Sequence, residues 1–320
     1  MRAVNVIVSC TNRKRFASVP ETCARRVRGD DLGTRLARWR KNLRSAATED
    51  HPANDVYMGD HWSVVRTIPD VARTAGLRVQ LWVCSAGYGL IRPETPIKAY
   101  QATFARGKDD YIGAGLAEDE HTLQRWWDGV CSYRFPMQGE APRTFAGLAA
   151  AFPHTPMLVA LSADYLNAVA GDLARVLARP YFYDHLAIIS CGTEQPHSTW
   201  KHHLLPCDGS LACALGGALT SLNARVARYL LQSLTKEDLT VDSLKKIAMS
   251  INRTSGTPAP SRTPQSDGSV AAFIRKGLAQ FPRATKTKLL QEFRGSGQAC
   301  EQKRFGAIYA QVRQKLSPGV

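Results

Sequence analysis

The sequence predicts an α/β fold built on an open, mainly parallel sheet, with a small helical unit at its C-terminal end. Three observations carry this prediction. Four short apolar runs rich in β-branched residues are separated by long amphipathic stretches, each run stops at small or polar residues, and a Pro/Ser/Thr/Gly segment sets off the last fifty residues.

The first run, Val4-Asn-Val-Ile-Val-Ser-Cys10, leads into Thr11-Asn12-Arg13-Lys14. The second, Val79–Cys84, leads into Ser85-Ala86-Gly87-Tyr88-Gly89; the third, Met157–Leu161, into Ser162-Ala163-Asp164-Tyr165; the fourth, Leu186–Ile189, into Ser190-Cys191-Gly192-Thr193. Continuous apolar runs of this length fit strands covered on both faces, which is the condition of a parallel sheet. Helices are expected over 32–46, 61–75, 119–130, 164–178 and 210–233. That alternation implies right-handed crossovers and a doubly wound sheet, whose ligands bind outside the carboxyl ends of the strands. All four of those ends carry Ser, Cys, Gly, Asn or Asp. The same residue types also serve as ordinary caps and turns, so the expectation of a pocket rests on four such loops meeting at one sheet edge.

Residues 253–268 have the composition of a linker between an α/β domain over 1–252 and a helical unit over 269–320. In that unit, amphipathic stretches are expected at 269–280, 285–294 and 299–315. The last places Phe305, Ile308, Tyr309, Val312 and Leu316 on one side, with Lys303, Arg304, Arg313 and Lys315 mostly elsewhere. The short turn Gly295-Ser296-Gly297 before it suits a helix-turn-helix arrangement.

Charge is segregated. The net charge is +15, of which residues 1–45 carry +9 and residues 269–320 carry +8, leaving −2 for the middle. Clustered Lys and Arg suit a polyanion, because each neutralised phosphate releases condensed counterions. DNA is therefore the expected partner. Arg13, Lys14 and Arg15 at the first loop and Lys303, Arg304 and Arg313 in the last helix are the expected phosphate contacts. No lipidation motif and no apolar run of about 18 residues points to a membrane, and no obligate protein partner is evident.

The chain opens MRAVNVIVSC without the charged and apolar regions of a signal peptide, so a cytoplasmic protein with eight reduced cysteines is expected. There is no C-x-x-C pair, and His202-His203 lack cysteines at zinc spacing; no metal site is expected. Cys10, Cys84 and Cys191 end three strands and read as small buried residues. The absence of a P-loop and of G-x-G-x-x-G leaves nucleoside triphosphate and dinucleotide binding unsupported, and no organic cofactor is expected.

Two more segments bear on a site: His51-Pro-Ala-Asn54-Asp55-Val-Tyr57-Met-Gly-Asp60, and Pro96-Ile-Lys-Ala-Tyr100. Asn12, Ser85 and Ser162 are candidates to bond a base edge. Gly87 would let backbone approach a ligand, and Tyr88, Tyr57 and Tyr100 would form an aromatic platform.

The segments Val8-Ser-Cys-Thr-Asn-Arg-Lys14, Pro52-Ala-Asn-Asp-Val-Tyr57 and Cys84-Ser-Ala-Gly-Tyr-Gly-Leu-Ile91 resemble, in that order, a family of small bacterial and phage proteins. That family is similar to the uracil-DNA-glycosylase-type domains attached to archaeal tRNA-guanine transglycosylases. The resemblance covers about residues 4–105. In size and charge the chain is also similar to DNA glycosylases of bacterial antiphage defence, which excise hypermodified phage bases such as glucosylated hydroxymethylcytosine. The resemblance implies a three-layer glycosylase-like domain, phage DNA as substrate, and hydrolysis of an N-glycosidic bond. The chain lacks the Gly-Gln-Asp-Pro-Tyr and His-Pro-Ser-Pro motifs of true uracil-DNA glycosylases, so no water-activating residue carries over.

Chemistry supplies a candidate instead. Cleaving a glycosidic bond in a duplex needs an extruded nucleotide and an anionic group that steadies the oxocarbenium-like sugar or activates water. Asp55 is the first choice because it lies within the resembling segment; Asp164, Asp109 and Asp110 are reserves. A transglycosylase or nucleoside deoxyribosyltransferase that exchanges the base, and a non-catalytic protein that senses a modified base, are the alternatives.

Overall fold

The structure is a computed structural model. It describes all residues except Arg28, 136–138, 192–199, 235–238, 252–262, Arg283 and 317–320, and the side chain of Lys303. The chain divides into two compact units, Met1–Thr254 and Ser255–Val320. Most of the expected linker, 253–262, lies outside the described residues.

In the first unit the elements run β1 (Arg2–Ser9), α1 (Leu32–Ser45), β2 (His51–Pro52), α2 (Ala53–Val56), α3 (Asp60–Thr74), β3 (Leu77–Ser85), β4 (Gly89–Ile91), β5 (Pro96–Ile97) and α4 (Thr122–Ser132). Then follow α5 (Phe145–Ala151), β6 (Met157–Ala160), α6 (Ala163–Ala168), α7 (Ala170–Leu177), α8 (Tyr181–His185), β7 (Leu186–Ile189), α9 (Leu211–Leu215), α10 (Leu222–Ser233) and α11 (Val241–Ser250).

The central sheet has the order β4-β3-β1-β6-β7. The four strands expected from the apolar runs are mutually parallel, and the short β4 adds an antiparallel edge. Val4, Val6, Ile7 and Val8 of β1 have no exposed surface, which is why this strand shows no polar alternation. Its one polar residue, Asn5, is equally buried and accepts a hydrogen bond from Trp82 Nε1 at 3.0 Å. Helices flank the sheet. α3 packs on β3, α10 on α3, β6 and β7, and α11 on β7, while α4 packs on β4, α1 and α6.

Two expected helices are each split. The 164–178 stretch is α6 and α7, divided at Val169. The 210–233 stretch is α9 and α10, separated where Gly216 and Gly217 take φ of +67° and +84°, angles that end a right-handed helix.

Cys191 and Cys207 form a disulfide, while the other six cysteines are free, so the all-thiol expectation is corrected. The cause is register. Leu204 bridges Ile188 in parallel beside β7, so residues three further along each segment fall side by side, with Cα atoms 4.7 Å apart.

The second unit contains β8 (Thr263–Pro264), α12 (Asp267–Gln280), α13 (Lys286–Gly295), β9 (Gln298–Ala299) and α14 (Gln302–Leu316). Its own core joins Val270, Ile274, Leu278, Leu289, Phe293, Phe305, Ile308 and Val312. Leu316, expected on the apolar side, is 52% exposed. Among the described residues no helix is long and apolar enough to cross a membrane.

Candidate functional site

The order β3-β1-β6 places successive parallel strands on opposite sides of β1, so the crevice beyond the carboxyl ends of β1 and β6 is the topological switch point of the sheet. Loops from distant parts of the chain meet there. Cys10, just past β1, has its Sγ 3.2 Å from Tyr165 Oη, which belongs to the helix after β6. Lys14 and Tyr57 form a β-bridge, Arg15 N–H donates to Val56 O at 2.9 Å, and Met58 N–H donates to Arg13 O at 3.1 Å. The segments after β1, β3 and β5 and around α2 are therefore neighbours in space.

What they enclose is filled. Tyr57 Oη lies 2.9 Å from Tyr100 Oη, which lies 2.7 Å from Ser85 Oγ; all three side chains are fully buried. Tyr88 is also buried, its ring against Tyr100 and Phe135 and its Oη accepting from Lys98 N–H. Two indoles pin the turn between: Trp39 Nε1 donates to Gly87 O at 2.9 Å and Trp126 Nε1 to Ala86 O at 2.8 Å.

The expected platform is thus a polar-lined core. Ser85, Tyr57 and Tyr100 bond one another, and Tyr88 bonds the Lys98 backbone, instead of offering edges or ring faces to a base. Gly87 is small for a packing reason, since a Cβ there would fall 2.6 Å from the Tyr100 ring. Burial pushes the Tyr57, Tyr88, Tyr100 and Tyr165 phenols well above their ordinary range, so they stay protonated.

Lys14 also departs from expectation. Its ammonium turns inward, 4.5 Å from the Tyr100 ring centroid and 5.4 Å from that of Tyr57, and donates to Thr11 O. Burial lowers its pKa to about 8, against the weaker opposing pull of the Cys10 thiol and Asp110. Asn12, Arg13 and Arg15 remain at the surface around it.

The open cavity lies beside this core, at the carboxyl end of β6. It holds about 350 Å³ and is lined by Arg106, Asp119, Glu120, His121, Gln124, Asp164, Asn167 and Trp200, among others. A space of this size lies within the range of about 300–1,000 Å³ typical of small-ligand sites. Most of its charges are committed. Asp119 takes two bonds from Arg125, at 3.0 and 2.9 Å, and these together with Thr122 hold its carboxyl at about 2. Glu120 lies 3.3 Å from His121, and Arg106 lies 3.5 Å from Glu118.

Asp164 differs. It sits in the first turn of α6 without capping it and is half-buried, faced by the backbone N–H and the charge of Arg106. Burial raises its pKa, with the charge and backbone N–H of Arg106 opposing. Ser162, the residue at the start of α6, is exposed just before it.

The other carboxylates are placed differently. Asp55 lies half-buried in α2 and does not line the cavity; Gly59, not Asp55, stands at the N-cap of α3. Asp110 is buried and accepts from Arg25 N–H at 3.2 Å and Arg25 Nη1 at 3.1 Å, which fastens one loop to another. Asp109, exposed, lies 3.8 Å from the same guanidinium and lines a second hollow of about 320 Å³ with Arg35 and Asp30. Sequence reasoning missed Arg106, His121 and Asn167, whose loops and short helix carry no motif.

Among the described residues no group of three or more His, Cys, Asp and Glu is placed to hold a metal ion. In the second unit Arg304 is not free for phosphate: it bonds Asp267 at 2.6 Å and Gln265 O at 2.9 Å. Arg313 is exposed and rests on Tyr309, and the side chain of Lys303 lies outside the described residues. No protein-family model, no curated protein and no solved structure matches the chain.

Proposed function

We propose that the protein is a DNA glycosylase that extrudes a modified base from phage DNA and hydrolyses its N-glycosidic bond, leaving an abasic site. The observation that carries the reading is the half-buried Asp164 carboxylate, with Arg106 beside it, lining a nucleoside-sized cavity beside the switch point of a parallel sheet. This replaces Asp55 with Asp164 as the leading carboxylate.

In the reaction the C1′–N bond breaks and its electron pair leaves with the base. Asp164 steadies the positive charge on the sugar and takes a proton from the water that adds to C1′, and an equivalent proton reaches the departing base through solvent, so the products are the hydroxylated sugar and the protonated free base. Arg106 and His121 at the cavity are positioned to neutralise charge on the base or an adjacent phosphate, and Asn167 to bond a base edge. A glycosylase-like three-layer domain and a helix-turn-helix-like second unit are the fold assignments that accompany this reading.

The test is incubation with glucosylated, hydroxymethylated and unmodified phage DNA, with free base and abasic sites quantified. Wild-type protein should release a modified base. Asp164→Asn should lose about a hundredfold or more in rate, the scale of one general acid–base group, while Asp55→Asn retains activity. Intact DNA throughout, or full activity in Asp164→Asn, overturns the assignment.

A further inference from the structure

We propose that α13, rather than the more basic α14, is the helix of the second unit that enters the major groove of duplex DNA. The inference rests on nucleic acid being the ligand, and names the element that holds it.

α13 stands as a ridge between two hollows. One, of about 530 Å³, runs along the flank that carries Lys286, Thr287, Gln291 and Arg294 and ends at the first turn of α14. The other, of about 520 Å³, lies at its N-terminal end by Phe281, Thr285 and Lys288. Leu289, Leu290 and Phe293 turn into the core, so Thr287, Lys288, Gln291, Glu292 and Gly295 are left outward and exposed. Ten residues give a rod about 15 Å long and 10–12 Å across with side chains, which suits a major groove about 12 Å wide. In that placement the two hollows receive the sugar–phosphate rails.

The chemistry agrees. Among the described residues, those lining the two hollows include no carboxylate and offer ammonium, guanidinium, amide and hydroxyl groups. Lys286 and Lys288 lie where phosphates would pass, and Thr287 and Gln291 where base edges would. Arg294 at the end of α13 donates to Cys300 O at 3.1 Å and holds the turn into β9. Likewise Arg304 of α14 is tied to Asp267 and the chain entering α12. Glu292 is the one acid on the outer face, and its carboxylate would tolerate only a donor such as cytosine N4 opposite it.

The experiment is fluorescence anisotropy of the full chain on an unmodified DNA duplex across a salt series. Lys286→Ala/Lys288→Ala should weaken binding and lower the slope of log affinity against log salt by about 2, one for each lost phosphate contact. Gln291→Glu, at an exposed position, should weaken binding about tenfold or more by placing like charge against the groove. Arg304→Ala should leave the slope unchanged. An unchanged slope in the double lysine variant, with circular dichroism intact, overturns the proposal. So does equal affinity for duplex RNA of the same length, whose deep, narrow major groove admits no helix. Base release is measured separately, so a failure of catalysis leaves this result standing, and the reverse also holds.

Discussion

At the residue scale, Lys14 shows how far a side chain's role depends on what surrounds it. Its amine loses affinity for a proton on folding, so between about pH 8 and 10.5 the unfolded chain holds a proton that the folded chain has released. Stability from this group therefore rises with pH across that window. The buried phenols oppose it above about pH 10, because only the unfolded chain releases their protons there. Comparing Lys14→Met with wild type isolates the lysine. The variant should be more stable by about 1–2 kcal/mol below pH 8, and the gap should close by about pH 10.5, as followed by urea denaturation at each pH. Gly87→Ala tests the packing beside it. With a Cβ 2.6 Å from the Tyr100 ring and 3.1 Å from Trp39, it should cost about 1–3 kcal/mol in the same measurement. The sequence indicated that Lys14, Tyr57, Ser85 and Tyr100 meet, since all lie in loops at one sheet edge. It carried no sign that they face one another and leave no room for a base, because a buried hydrogen-bonded tyrosine and an aromatic platform have the same letters.

At the element scale, the four parallel strands were legible because double-sided burial leaves an unbroken apolar run, and β7 spans the expected residues. The caps were less so. Asp172, in α7, is buried and reads as an unremarkable helix residue, yet its carboxylate accepts N–H bonds from Phe145 at 2.6 Å and Ala146 at 3.0 Å, starting α5 from across the fold. It also accepts from Trp127 Nε1 at 3.0 Å. Thr144 is the local N-cap of α5, accepting from Gly147 N–H at 2.9 Å, but no local signal reveals the second acceptor 27 residues away, and this seven-residue helix escaped prediction. Asp172→Ala should cost roughly 3 kcal/mol, since it strands buried donors that a charged acceptor had satisfied. A loss below about 1 kcal/mol in equilibrium denaturation would show that water replaces the carboxylate.

At the scale of the whole molecule, the proposed binding of DNA would draw unequally on the two basic ends of the sequence. The N-terminal segment spends part of its charge internally. Arg35 is buried and donates to Ile112 O at 2.9 Å and Ala114 O at 2.8 Å, Arg40 donates to Gly129 O, and Lys14 faces the tyrosine core. Counting Lys and Arg along the chain cannot separate these staples from surface charges, which is why the +9 of residues 1–45 overstates the cations presented to a phosphate. In the second unit Arg275, Lys276, Lys286 and Lys288 all stand exposed on its own small core. Removal of residues 255–320 should therefore weaken binding to duplex DNA and lower the salt slope by at least about 1.8, the counterion release of the two phosphate contacts proposed for Lys286 and Lys288. Released base from a saturating excess of the shortened protein should persist, because the Asp164 cavity and the core around it belong wholly to Met1–Thr254. Equal salt slopes with and without the second unit would return the phosphate contacts to Arg13, Arg15 and their neighbours at the mouth of the first loop.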